Sequence, residues 1–144
     1  MEAIVDHVAA YLATALDHEC FKPLGMATGR TMEPFYAALI QRLATWPLPQ
    51  FEQLKRCWLS FNLDEYVGLS PGDSRSFAAY MHAQLGCYLD LSPCQLQLPD
   101  GMAKDPAKEA RRYGSALHQS GGIGLQLLGL GAVSYTHLTL PTKA

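Results

Sequence analysis

The sequence is short of charge. Only 17% of its 144 residues are Asp, Glu, Lys or Arg, below the usual quarter, so some faces are expected to need partners rather than solvent. It also lacks a basic surplus: 11 Lys and Arg against 13 Asp and Glu leave a formal charge of −2 and a pI near 6.2. Nucleic acid and acidic membranes both require clustered cations, so neither is an expected partner. Long apolar runs are missing as well. The longest weakly polar stretch, Ile123 to Ser134, is too short to span a bilayer. The opening Met1-Glu2-Ala3-Ile4 carries no basic leader, which leads to the expectation of a cytoplasmic protein.

Cysteine is sparse. Cys20, Cys57, Cys87 and Cys94 lie 37, 30 and 7 residues apart, a spacing that fits neither a zinc site nor a dense disulfide framework, and buried free thiols are expected. His7, His18, His82 and His118 fall on expected helices with no second ligand at i+3 or i+4, so no metal site is expected. No Gly-x-Ser-x-Gly elbow and no Gly-Lys-Ser/Thr phosphate loop occurs. What is present is an apolar content of 49% and a mean hydropathy of −0.01, normal for one globular core.

Apolar residues at Ile4, Val8, Leu12 and Leu16 recur about every fourth position and predict a helix over Glu2 to His18. Pro23 breaks it, and Leu24-Gly25-Met26-Ala27 reads as a short extended run. Phe35, Leu39 and Leu43 mark a second helix that ends at Trp46-Pro47-Leu48-Pro49. After a short polar helix or loop, Cys57 to Leu63 reads as a strand with bulky residues on both faces, the mark of a sheet covered on two sides. Ser74 or Ser76 caps a third helix that Gly86 is expected to stop in the left-handed conformation. Pro93, Pro99 and Gly101 indicate a loop. Asp105-Pro106 opens a fourth helix to about His118, with Ala107, Ala110, Tyr113 and Leu117 inward, and Ile123 to Gly131 reads as a third strand. Strands alternating with helices predict an α/β fold, a Rossmann-like, mostly parallel sheet flanked by helices. Its ligand crevice is expected beyond the carboxyl ends of the strands.

Two segments follow strand ends. Thr28-Gly29-Arg30-Thr31 lies between a strand and a helix, where free N–H groups, two hydroxyls and a guanidinium suit an anion such as phosphate. Such a turn also commonly just caps a helix. Asp64-Glu65 places two carboxylates at the second strand end, with side chains sent in opposite directions, so only one can face a given ligand. A carboxylate beside a sugar can remove a proton alpha to a carbonyl if its surroundings raise its basicity. Acidic residues after a strand also cap the next turn. Phe77, Tyr80 and Met81 read as core.

Taken together, Leu24-Gly25-Met26-Ala27-Thr28-Gly29-Arg30-Thr31, Phe61-Asn62-Leu63-Asp64-Glu65-Tyr66-Val67-Gly68-Leu69, Ser76-Phe77 and Tyr80-Met81-His82 resemble the glucosamine-6-phosphate deaminase family, within the wider group that includes 6-phosphogluconolactonase. The resemblance covers about residues 1 to 131. It implies conversion of glucosamine 6-phosphate to fructose 6-phosphate and ammonia with no metal or organic cofactor. It also implies that Asp64 moves a proton between C2 and C1 of the opened sugar, that Thr28, Gly29, Arg30 and Thr31 bind the phosphate, and that Glu65 and Tyr66 support the site. The implied partner is a small sugar phosphate; many relatives assemble, which allows a homo-oligomer at full length. Arg30 and Met32 depart from the commoner glycine and proline. Tyr66-Val67-Gly68 after the acidic pair, where lactonases carry Arg, ranks a lactonase second. A noncatalytic sugar-phosphate sensor ranks third.

The family's Asp-Gly-His segment and Phe-Asn-Glu-Pro, which supply a ring-opening histidine and its acidic partners, are not found after Gly131. Val133 to Thr142 instead resembles the translation of a transposase adapter used in sequencing libraries. Residues 1–131 are therefore expected to be the N-terminal part of the domain, its sheet incomplete on the C-terminal side, and residues 132–144 a non-native tail. A polypeptide of that kind is expected to be inactive by itself and to aggregate along an open sheet edge.

Overall fold

The computed structural model describes residues 1–129; the residues assigned to a tail, and the last part of the third expected strand, lie outside them. Helix α1 (Glu2–Asp17) leads into strand β1 (Leu24–Met26), a 3-10 turn (Arg30–Met32) and α2 (Glu33–Leu43). Then come α3 (Leu48–Cys57), β2 (Ser60–Asn62), α4 (Phe77–Met81), a π turn (His82–Gly86) and α5 (Cys87–Leu89). Strand β3 (Leu96–Gln97), α6 (Pro106–Gln119) and β4 (Leu125–Gln126) complete the order. Among the described residues all pairings are parallel and the strand order is β3-β2-β1-β4. The α/β reading therefore holds.

The order reverses at β1. Chain progress from β1 through β2 to β3 runs one way across the sheet, whereas β4 returns to the other side of β1, and right-handed crossovers then put α6 on the opposite face from α2 and α4. Side-chain alternation agrees. Leu24 and Met26, fully buried, join the core with Val8, Leu12, Leu39, Met81 and Leu85. Phe61, on the other face, meets the ring of Tyr113 from α6 edge-on at 5.6 Å. Burial of each such side chain stabilises by about 1.5–3 kcal/mol relative to exposure. At the reversal, Gly25 of β1 leaves room for Gln126, whose side-chain atoms would lie 2.0–2.7 Å from a Cβ there.

Several expectations are corrected. The four cysteines are free but exposed rather than buried, because each sits at a helix end or in a turn. Pro47 and Pro49 end α2 and also begin α3, since proline suits a first helical turn whose N–H groups have no partner. Ser76, not Ser74, caps α4: its Oγ accepts from the Ala79 N–H at 3.0 Å. Gly86 is helical; Asp90 takes the left-handed turn at φ 53°. What Gly86 supplies is room, because a Cβ would lie 2.9 Å from His82 and 3.0 Å from Leu96. On α6 Tyr113 is buried as expected, whereas Ala107 and Ala110 are exposed, and on α1 Ile4 is exposed where Val5 is buried. The expected strand Cys57–Leu63 shrinks to Ser60–Asn62 because Cys57 still belongs to α3.

Glu109 gives the α6 face its polar anchor. Its carboxylate accepts from Arg112 and from the Asp100 N–H at 2.9 Å, and the Arg112 hydrogen bonds hold it down to about 2. A carboxyl lowered on folding stabilises above its unfolded titration and loses that contribution as pH falls. Wild type should thus lose its advantage over Glu109→Gln as pH drops from about 4.5 toward 2, measured by urea unfolding at each pH.

Candidate functional site

Parallel register decides what the strand tips bring together. Met26 pairs with Asn62, so Thr28 and Asp64 each lie two residues beyond a paired position on adjacent strands. The reversal between β1 and β4 opens the crevice there. Gly129, just past β4, approaches from the other side: a Cβ on it would sit 3.8 Å from the Thr28 carbonyl oxygen and from Met32.

Thr28–Thr31 turns the chain from β1 into the helix. Gly29 adopts φ 117° and ψ 161°, a region open essentially to glycine alone. Its carbonyl accepts the Met32 N–H at 3.0 Å and the Tyr80 hydroxyl at 2.7 Å. Arg30 and Thr31 are exposed and open the helical turn, so among the described residues their N–H groups have no carbonyl behind them. Thr28 is half-buried. One residue earlier, the buried Tyr36 hydroxyl donates to the Ala27 carbonyl and accepts the Ala27 N–H at 3.2 Å. The positive end of a helix, N–H groups without a partner among the described residues, and the Arg30 side chain belong to one turn. That is anion-binding chemistry.

The acidic pair splits its work, as alternation requires. Glu65 turns to α4: Oε1 accepts the Tyr66 N–H at 2.8 Å and the Phe77 N–H at 2.9 Å, and Oε2 accepts the Ala78 N–H at 2.9 Å. The carboxylate therefore caps a helix across an eleven-residue loop, and the capping alternative describes Glu65. Asp64 is left at the tip and open to solvent. Partial desolvation, and then the negative charge of Glu65, raise its carboxyl above the ordinary value. A carboxylate with raised basicity and free access is equipped to take a proton from carbon. Tyr66 is exposed and its ring packs on Phe77 at 4.6 Å. The Gly68 N–H donates to the Gly101 carbonyl at 2.7 Å, and Gly101 has no room for a Cβ, which would lie 2.3 Å from the Tyr66 carbonyl oxygen. The loop bearing Asp64 is held from both ends.

Asn62 escaped the sequence reading. It is 2% exposed, and neither its amide nitrogen nor its oxygen has a partner among the described residues. Each such group costs about 1–3 kcal/mol. Asn62→Leu is accordingly expected to leave the unfolding free energy measured in urea unchanged or raise it; a drop of more than about 1 kcal/mol would show that the carboxamide is bonded in the folded protein. No signal marked it, because apolar neighbours on a strand do not reveal which polar side chain folding will enclose.

A cavity of ≈ 320 Å³ lined by Tyr11, His18, Cys20, Lys22 and Gly124 lies at the opposite end of the strands, away from Asp64 and the Gly29 turn. Among the described residues, no cluster of three metal-ligating side chains forms, and no helix is long and apolar enough to cross a membrane.

No family model matches the chain. It is 40% identical over 121 residues to a glucosamine-6-phosphate deaminase of Hahella chejuensis, covering 84% of this chain and 44% of that protein. It is 37% identical over 131 residues to a glucosamine-6-phosphate deaminase of Shouchella clausii, covering 91% of this chain and 51% of that protein. Among solved structures, a monomeric glucosamine-6-phosphate deaminase, described as a missing link of the NagB superfamily, superposes with a TM-score of 0.68 at 31% identity, covering 88% of this chain and 51% of that one. The chain spans about half the length of these relatives.

Proposed function

We propose that this chain, a homologue of glucosamine-6-phosphate deaminases, carries the phosphate seat and the proton-transferring carboxylate of an amino-sugar-phosphate deaminase. The reading rests on one observation above the others. The parallel register sets the anion-suited turn at Thr28–Thr31 and the raised carboxyl of Asp64 at neighbouring strand tips, beside the reversal in strand order.

In this reading the N–H groups of the turn, the two threonine hydroxyls and Arg30 hold the phosphate of an opened sugar. Fixing the anion removes the rotational freedom of the carbon chain, so a carboxylate at a set distance meets the same carbon each time. Asp64 takes the proton from C2, the electron pair forms a double bond between C1 and C2 as the C1 carbonyl bond opens and its oxygen takes a proton from water, and the same carboxyl returns its proton to C1 as the amine nitrogen gives a proton back to water and becomes doubly bonded to C2. The C2 imine so formed is hydrolysed by water, which releases ammonia and leaves the ketose. Glu65 keeps Asp64 at the tip and supports its basicity without touching the sugar.

The complete deamination is not expected of this chain by itself, but the proton step can be followed alone and in reverse. Fructose 6-phosphate in deuterium oxide should incorporate deuterium at C1 in the presence of the chain, read by proton NMR, without ammonia or a ring-opening group for the amino sugar. Hydrolysis of 6-phosphogluconolactone with no such exchange would favour a lactonase. Binding with neither reaction would favour a sensor.

A further inference from the structure

We propose that Tyr80 is a positioning residue for the anion seat, its hydroxyl holding the Gly29 carbonyl out of the turn so that the N–H groups of Arg30 and Thr31 face a bound phosphate. The inference rests on the phosphate reading of that turn and adds to it a residue on a different helix, fifty-one positions along the chain.

An anion can sit in a backbone turn only if the carbonyl oxygens there point elsewhere, because each carries partial negative charge. The Gly29 carbonyl is the one most able to turn inward, since glycine has no Cβ to limit its rotation. It is fixed by two donors, the Met32 N–H at 3.0 Å from within the helical turn and the Tyr80 hydroxyl at 2.7 Å from α4. Burial and the negative charge of Glu33 push the Tyr80 hydroxyl up to about 12, which keeps it protonated and donating throughout the neutral range. The Tyr80 ring leans edge-on against Tyr36 at 6.4 Å, so the ring is located by packing and not by the hydroxyl alone. Tyr36 pegs Ala27 and Tyr80 pegs Gly29, with Thr28 between them.

Helix α4 gains a task from this. Its first N–H groups are gripped by Glu65, next to Asp64, and its last turn presents Tyr80 to the other strand tip. The same five-residue helix thus contacts both strand tips, accepting Glu65 at one end and reaching Gly29 at the other.

Tyr80→Phe keeps the ring and its packing and removes only the hydroxyl. Inorganic phosphate and fructose 6-phosphate should bind Tyr80→Phe about five- to tenfold more weakly than wild type, the loss expected for one hydrogen bond, measured by calorimetry. Amide hydrogen exchange without ligand gives a second readout. The Met32 N–H should exchange faster in the variant, while Leu39, further along α2, serves as the folding reference and stays slow. Tyr36→Phe should show the opposite balance, lowering the thermal midpoint because its hydroxyl is buried. Unchanged phosphate affinity in Tyr80→Phe, with wild type binding and Gly29→Ala impaired, would overturn the inference and leave the seat standing. A lowered thermal midpoint with undiminished affinity would also overturn it. If wild type binds neither probe, the phosphate reading fails and takes this inference with it.

Discussion

Replacing Asp64 by Asn is expected to slow deuterium exchange into C1 of fructose 6-phosphate by about a hundredfold to ten-thousandfold, the range of a lost general base. Sugar-phosphate affinity should stay within a few-fold of wild type. The two effects should separate because in the proposed mechanism the carboxylate does the work on carbon and the anion is left to the tip of the adjacent strand. The exchange rate of wild type should also rise with pH through the titration of Asp64, whose raised carboxyl places the inflection above the ordinary carboxylate value. The sign for stability is the reverse. A carboxyl raised on folding favours the folded state while protonated and opposes it once ionised, so Asp64→Asn should raise the thermal midpoint at neutral pH and not in acid. A gain in stability together with a far slower exchange is the trade-off expected of a residue kept for chemistry.

Gly29→Ala is expected to damage the other half. Nothing lies within 4 Å of a Cβ at Gly29, so a methyl group meets no neighbour and the whole cost is in the backbone. A non-glycine residue at φ 117° and ψ 161° is strained by about 1–3 kcal/mol, and the turn relieves that strain by rotating out of the conformation that presents its N–H groups. Phosphate affinity should fall by about fivefold to a hundredfold or more, and the Tyr80 hydroxyl should lose its carbonyl partner. Circular dichroism should be unchanged, since the turn is exposed and the core of β1, α1 and α2 does not depend on it. Wild-type affinity in this variant would show that the anion does not use the turn.

How much of this was legible in the sequence follows from what each element depends on. The helices with dense apolar stripes, α1 and α2, and the capping signal at Asp105 are local and can be read directly, whereas the cap of α4 is narrowed only to Ser74 or Ser76. Strand β3 could not. Leu96–Gln97 is two residues between prolines, and it is a strand only because β2 recruits it through the Ser60 N–H to the Gln95 carbonyl at 2.9 Å. The division between Asp64 and Glu65 was foreseeable in kind, because adjacent residues on a strand diverge, but not in direction, because the helix that Glu65 caps begins at Phe77. Tyr80 reads as core in the sequence, and its ring does pack on that of Tyr36; only the fold shows the hydroxyls of Tyr36 and Tyr80 reaching Ala27 and Gly29. The thiols are exposed for a similar reason: a cysteine at a helix end or in a turn is carried outward by the backbone, whatever its apolar character.

The central claim is that the two strand tips form one site, and a single titration tests it. Isotope-labelled chain is followed by amide NMR while inorganic phosphate, and then fructose 6-phosphate, is added. Phosphate alone should shift the amides of residues 28–32, and the sugar phosphate should shift those and, at the same concentrations, the amides of residues 63–66. Shifts confined to the region of Tyr11, Cys20 and Lys22, or a sugar phosphate that moves only one of the two tips, would contradict the account.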